Sequence, residues 1–188
     1  MLRRSLLSLP VLALLPSRLR AASGQSDRPT IPQVRAGRDR EGKERAIGLS
    51  STTYKVLTSD TAGDLFVMEQ RNMRKGGPSR HVHHQEDELF FCLEGRYVVE
   101  VGDNRAVLNV GDCVLGPRGI PHAWAFSGQA VGRMLISFAP AGKMEAFFAQ
   151  REKSGIKPGA YANTKADAAF LHEFGMELIG PPIPVATL

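Results

Sequence analysis

An all-β barrel or sandwich, finished by two short helices, is the fold class this chain predicts, and three observations carry it. From Thr52 onward, short runs rich in Val, Leu, Phe and Tyr alternate with turns of Gly, Asp, Asn and Pro. These runs follow one another directly, which reads as a barrel or sandwich and not as a βαβ sheet. Beyond residue 140 the apolar spacing becomes helical.

The first twenty-three residues read as an export signal. "MLRR" is a basic start, "SLLSLPVLALLP" an apolar run, and "LRAAS" offers the small residues of a cleavage site after Ser23. The run is shorter than the roughly twenty residues that span a bilayer, so no stable membrane insertion is expected. Arg3-Arg4 followed by "SLLSL" resembles a twin-arginine signal, which is an address and not an anchor. The expected location is therefore the periplasm or the exterior. Residues 24–48 are polar, mixed in charge and hold two prolines, as expected of a linker or surface arm.

Residues 49–140 hold the strands. "TTYKVL" and "DLFVMEQRNM" come first, "GGPSR" breaks the chain, and "ELFFCLEG", "RYVVEV", "RAVLNV" and "GDCVLGPRG" follow, with "VGDNR" as a hairpin signal. "AVGRMLISFAP" adds another strand. In residues 141–188, Met144, Phe147 and Phe148 recur at helical spacing, as do Ala169, Phe170 and Phe174. Each helix is expected to lay an apolar stripe on the outside of the barrel. "MELIGPPIP" closes the chain in an extended form.

Composition removes several function classes. With 43% apolar and 23% charged residues the chain is an ordinary globular one. The net charge of +5 owes four units to Arg3, Arg4, Arg18 and Arg20. Without them no basic stripe with interleaved aromatics remains, so nucleic acid is not an expected partner. Cys92 and Cys113, the two cysteines, both lie in apolar strand-like runs and are expected as buried free thiols.

Chemistry concentrates in two stretches. In "HVHHQEDELFFCLEG", residues 81–95, His81 and His83 stand two apart, so on a strand both imidazoles face one side. Glu88 follows at a distance that lets the chain turn and return a carboxylate to that side. Converging imidazole and carboxylate donors suit a metal ion. In "GDCVLGPRGIPH", residues 111–122, the turn formers Gly111, Pro117 and Gly119 deliver His122 to the start of a strand. Three of only five histidines fall in these positions. His84 points away from its neighbours and is expected in solvent, as is His172. Glu86 and Asp87 read as a charged loop tip, and Arg118 as a turn residue. Trp124 and Phe126 follow His122 in steps of two, and Phe90 and Cys92 stand likewise to Glu88, which places them on the inward face. As pocket lining they suit a flat aromatic or apolar substrate.

These residues resemble the cupins, small β-barrels of the jelly-roll kind. The first cupin motif, G-x5-H-x-H-x(3,4)-E-x6-G, is met by His81, His83, Glu88 and Gly95, and the second, G-x5-P-x-G-x2-H-x3-N, by Gly111, Pro117, Gly119 and His122. Two positions depart: Gly76 lies one residue too close to His81, and Phe126 stands in place of the closing asparagine. The resemblance spans roughly residues 50 to 140, and the tail is similar to single-domain cupins grouped with quercetin dioxygenases.

The resemblance implies an all-β jelly-roll barrel with one divalent transition metal held by His81, His83, Glu88 and His122. Iron or manganese is favoured, and nickel, copper or zinc would also suit. It implies a dioxygenase acting on a small aromatic or phenolic substrate with dioxygen, Glu88 as base, and Phe90, Trp124 and Phe126 around the substrate. A non-catalytic cupin holding a metal or small ligand is the second reading, and a cupin isomerase the third. Pairing through sheet edges makes a homodimer the expected assembly.

Overall fold

The computed structural model describes residues 33–154 and 165–188. The expected export signal, residues 1–23, and the start of the arm lie outside the described residues.

Eleven strands form two antiparallel sheets. In chain order they are β1 (Arg45–Ile47), β2 (Ser50–Val56), β3 (Phe66–Asn72), β4 (Ser79–His83), β5 (Asp87–Glu94), β6 (Tyr97–Val101), β7 (Asn104–Leu108), β8 (Cys113–Gly116), β9 (His122–Phe126), β10 (Gly132–Ala139) and β11 (Met176–Pro182). One sheet has the order β1-β2-β3-β10-β5-β8 and the other β11-β4-β9-β6-β7. Sequence neighbours are often not sheet neighbours, as in a jelly roll.

Alternation sets the inner faces. On β10, Met134, Ile136 and Phe138 are buried while Arg133, Leu135 and Ser137 are half-exposed. β3 lies beside β10 with Gln70 opposite Met134, Met68 opposite Ile136 and Phe66 opposite Phe138. β5 lies on its other side, with Glu88 opposite Phe138 and Phe90 opposite Ile136. Both flanking strands therefore turn their even-numbered side chains inward with β10. Phe66 and Phe138 stack at 6.0 Å between ring centroids, and Tyr54 meets Phe66 edge-on at 4.9 Å.

The expected arm ends as structure. β1 pairs with β2 across a two-residue turn, with Ile47 opposite Ser50. Asp39 fixes its approach: the carboxylate accepts the backbone N–H groups of Glu41 at 2.7 Å, Lys43 at 3.2 Å and Tyr54 at 2.6 Å, and the Arg45 guanidinium at 2.5 Å. Arg45 is itself buried, stacked 3.8 Å from the Tyr54 ring centre. A three-residue strand is too short to show a period of two, and only the Asp39 contacts reveal it.

The tail ends extended, as expected, while its helices sit elsewhere than expected. "MELIGPP" is β11, an edge strand paired with β4 through two irregularities around Gly180 and Pro182. Pro181 and Pro182 lack N–H groups, which an edge strand tolerates. Helices α1 (Met144–Lys153) and α2 (Lys165–Glu173) do not lie on the outside of the barrel wall. Met144, Phe148 and Arg151, spaced i, i+4, i+7, are buried, and with Leu171 they close over the cavity between the sheets. Phe147 ties the helices together, its ring 5.4 Å from Phe170 and 5.5 Å from Phe174. Ala169 is exposed, so the α2 stripe is Phe170, Leu171 and Phe174. Among the described residues no helix is long and apolar enough to cross a membrane.

The cysteines lie on neighbouring strands but opposite faces. Cys113 is paired with Phe91, one residue off Cys92. Cys92 is buried and Cys113 exposed, and both are free. The expectation of two buried thiols therefore fails for Cys113, because the strand's outward phase claims it.

Candidate metal centre

His81 and His83 occupy alternate positions of β4 and turn inward together, as the spacing predicts. His122 opens β9 and is paired directly with His81. Glu88 reaches the same point from β5, in the opposite sheet. The cluster thus bridges the two sheets, three imidazoles facing one carboxylate. All four side chains are buried, His122 completely.

The geometry converges on one oxygen. Glu88 Oε2 lies 2.9 Å from His122 Nε2, 3.3 Å from His83 Nε2 and 4.0 Å from His81 Nε2. One donor atom from each residue falls within 4.8 Å of the others. Donors at about 2.0–2.2 Å from an ion sit roughly 3–4 Å apart, so a small contraction gathers these four around one ion. Imidazole and carboxylate donors suit several divalent first-row metals, and this set can hold one.

Each imidazole is aimed from behind. His81 Nδ1 lies 2.7 Å from the Ser79 carbonyl oxygen and His122 Nδ1 3.0 Å from that of Ile120. With the Nδ1 protons given to these carbonyls, both Nε2 atoms point at the centre. Each would offer a lone pair to an ion there once any Nε2 proton, such as the one His122 shares with Glu88, is lost. His83 Nδ1 faces Glu86 Oε2 at 3.5 Å, and neither atom has another partner among the described residues. Glu86 is thus not the exposed loop tip the sequence suggested. It is 1% exposed, set behind His83 as a carboxylate that orients the ring. Its spacing of three from His83 was the only sequence signal. Gly142 makes room for it: with φ +52, a Cβ there would stand 1.7 Å from Glu86 Oε1.

Electrostatics follow from crowding. Burial, reinforced by the neighbouring imidazoles of His122 and His83, pushes His81 down to about 3. Burial opposes charge on His83 too, but Glu86 and Glu88 outweigh it and push that imidazole up to about 9. Burial would raise Glu88, yet hydrogen bonds to His122 and His83 hold it well below the usual carboxylate range. Glu88 is therefore an anion before any ion binds, as a ligand should be.

The turn that delivers His122 is braced. Arg118 donates from Nε and Nη2 to Asp87 at 3.0 and 2.8 Å and from Nη2 to the Ala139 carbonyl at 3.1 Å. Asp87 is the half-exposed end of this brace, its carboxyl lowered to about 2 by the Arg118 hydrogen bonds. Gly116 lies beneath the delivered ring, where a Cβ would stand 3.1 Å from His122 Nδ1. His84 is exposed and 3.6 Å from Glu177, and His172 is exposed.

The cluster forms one end of a cavity of about 60 Å³ walled mainly by Met68, Trp124, Ile136, Phe138, Phe147 and Phe148. Of the three aromatic residues expected around a substrate, only Trp124 lines it. Phe90 lies against His122, 5.8 Å between ring centres. Phe126 packs on Tyr97 at 5.4 Å, deeper along β9. Steps of two give the face of a strand but not the depth of the cavity, and α1 and α2 supply lining residues that no strand pattern shows.

Residues 62–138 match the cupin domain family Cupin_2. No curated protein matches the chain. Among solved structures, a predicted oxalate decarboxylase from Thermotoga maritima is similar in fold, with a TM-score of 0.52 at 14% identity over 58% of this chain and 99% of that one. KdgF from a Halomonas species gives 0.47 at 19% identity over 53% and 87% of the two chains, and an RmlC-like cupin from Shewanella frigidimarina 0.46 at 20% over 55% and 87%. The two-sheet fold and the match over residues 62–138, less than half of the chain, show a segment similar to a cupin domain.

Proposed function

We propose that the protein is a metal-dependent dioxygenase of the quercetin dioxygenase-like cupin type, acting on a small aromatic or phenolic substrate. One observation carries the reading: the three-histidine, one-glutamate cluster faces a cavity walled mostly by apolar and aromatic side chains, with Gln70 and the Arg151–Asp167 pair also in its lining. His81, His83, Glu88 and His122 would hold a divalent ion, iron or manganese before others. When bound, that ion supplies Lewis acidity and a place for substrate and dioxygen to meet. Both oxygen atoms end in the product of a dioxygenase, so no external reductant is needed.

The chain's own residues have separate tasks. Trp124 and Phe138 form flat apolar walls that hold a ring and exclude water. Glu88 is the carboxylate placed to take the proton of a substrate hydroxyl. Its low proton affinity suits an acidic hydroxyl, such as a phenol, better than an alcohol.

Oxygen uptake tests the reading. Iron- or manganese-loaded protein should consume dioxygen when single-ring phenols and enols are supplied, and His122→Ala and Glu88→Ala should lower the rate at least ~100-fold. Undiminished uptake in either variant would remove the metal mechanism. Stoichiometric metal binding with no uptake on any of these substrates would favour the non-catalytic ligand-binding cupin.

A further inference from the structure

Besides the metal cluster, the cavity is lined by the polar side chains of Gln70 and Ser79 and by the Arg151–Asp167 ion pair. Gln70, on β3, is 5% exposed and lines the cavity. It sits opposite Met134 on β10, whereas Glu88 sits opposite Phe138, four residues further along that strand. At about 3.4 Å per residue the two rungs lie roughly 14 Å apart along the strand. Both side chains line the same cavity, so one ligand in it borders the cluster and Gln70.

A buried chain of hydrogen bonds fixes how Gln70 presents its amide. The Tyr97 phenol, held protonated because burial raises its pKa, donates to Asn72 Oδ1 at 2.9 Å. Asn72 Nδ2 donates to Ser50 Oγ at 2.7 Å, and Ser50 Oγ donates to Gln70 Oε1 at 3.2 Å. All four residues are buried. Each link commits the next, so the chain ends with the carbonyl of Gln70 satisfied and its NH2 group as the remaining donor. Thr52, directly across from Gln70 on β2, does not take it, for its buried hydroxyl has no partner. Among the described residues Gln70 Nε2 has no hydrogen-bond acceptor, and its side chain borders the cavity. An amide donor with no protein acceptor that borders a cavity can donate to an acceptor on a ligand.

We propose that Gln70 is a substrate-recognition residue: its amide N–H donates to a neutral acceptor oxygen, such as a carbonyl, on a single-ring substrate whose other end lies at the metal cluster. This rests on the reading of the cavity as the substrate site. It narrows the substrate class to small phenols or enols that carry a second, uncharged oxygen across the ring. Ser50, Asn72 and Tyr97 act through Gln70 and are positioning residues.

Calorimetric binding to the full-length, zinc-loaded protein without oxygen tests it, using 4-hydroxyacetophenone and 4-ethylphenol, which differ in one carbonyl oxygen. The wild type should bind the ketone about tenfold more tightly, the worth of one neutral hydrogen bond. Gln70→Met should abolish that preference while leaving the affinity for zinc unchanged. Ser50→Ala, which frees the amide to turn, should reduce the preference to about threefold. Should Gln70→Met not fold, the wild-type preference and its reduction in Ser50→Ala decide the matter. A preference retained in Gln70→Met overturns the proposal. So does a wild type without preference, whether both probes bind alike or neither binds. Zinc is redox-silent, so failure of the oxygen-uptake test would remove the dioxygenase reading and leave this result standing.

Discussion

Each of the three clustered imidazoles has its second nitrogen faced from behind, two by hydrogen-bonding carbonyls and that of His83 by the Glu86 carboxylate at 3.5 Å. That arrangement raises the cost of turning any ring away from the centre, which is how a partner that never touches an ion governs its affinity. Glu86→Gln should weaken zinc binding about 10- to 100-fold, measured by competition with a chromophoric chelator, with little change in melting temperature. Unchanged affinity would make Glu86 a mere buried acid. The four inward residues at the centre were legible because strand alternation is rigid and the turn formers Gly111, Pro117 and Gly119 are spaced to return His122. Glu86 was not, because "HQED" reads as polar loop until α1 and Gly142 are seen to cover it. Phe90 and Phe126 had the right face and the wrong depth, a distinction that periodicity lacks.

At the scale of elements, β1 shows how a short strand is held by charge in place of hydrophobic alternation. Asp39 binds three backbone N–H groups and Arg45, and although burial opposes its charge, these partners hold its carboxyl below the usual range. A carboxyl lowered by folding contributes stability that is present above its unfolded value of about 3.9 and is lost as pH falls through the lower folded value. Glu69, lowered against burial by Arg133 and Lys55, adds to the same acid limb. Urea unfolding from about pH 7 to 3 should therefore show falling stability in the acid range. Asp39→Asn should cost about 3 kcal/mol near neutral pH, because it leaves Arg45 buried with a weaker set of partners, and should flatten that slope. An unaltered pH profile in the variant would exclude Asp39 as the source. The strands from β2 to β10 were readable from turns and alternation. β11 was legible as an extended segment, its prolines obscuring only its pairing with β4, and the helices' true position was hidden because helical period names a buried stripe but not what it is buried against.

For the whole molecule, two sheets, a cluster between them that could hold a metal ion and a helical cover compose a cupin-like fold with a small cavity. We propose that it is delivered folded, through the twin-arginine route that Arg3 and Arg4 suggest, with its ion already in place. Mass spectrometry of the periplasmic protein should find a new N-terminus near Gly24, and Arg3→Lys with Arg4→Lys should retain the full-length chain in the cytoplasm. Processing that survives this change would point to a general secretory signal. The central claim is the metal centre itself, and elemental analysis of purified protein after incubation with iron or manganese and removal of free ion tests it most directly. The account predicts about one ion per folded chain, at the single four-donor cluster. A folded chain that retains no ion would contradict it.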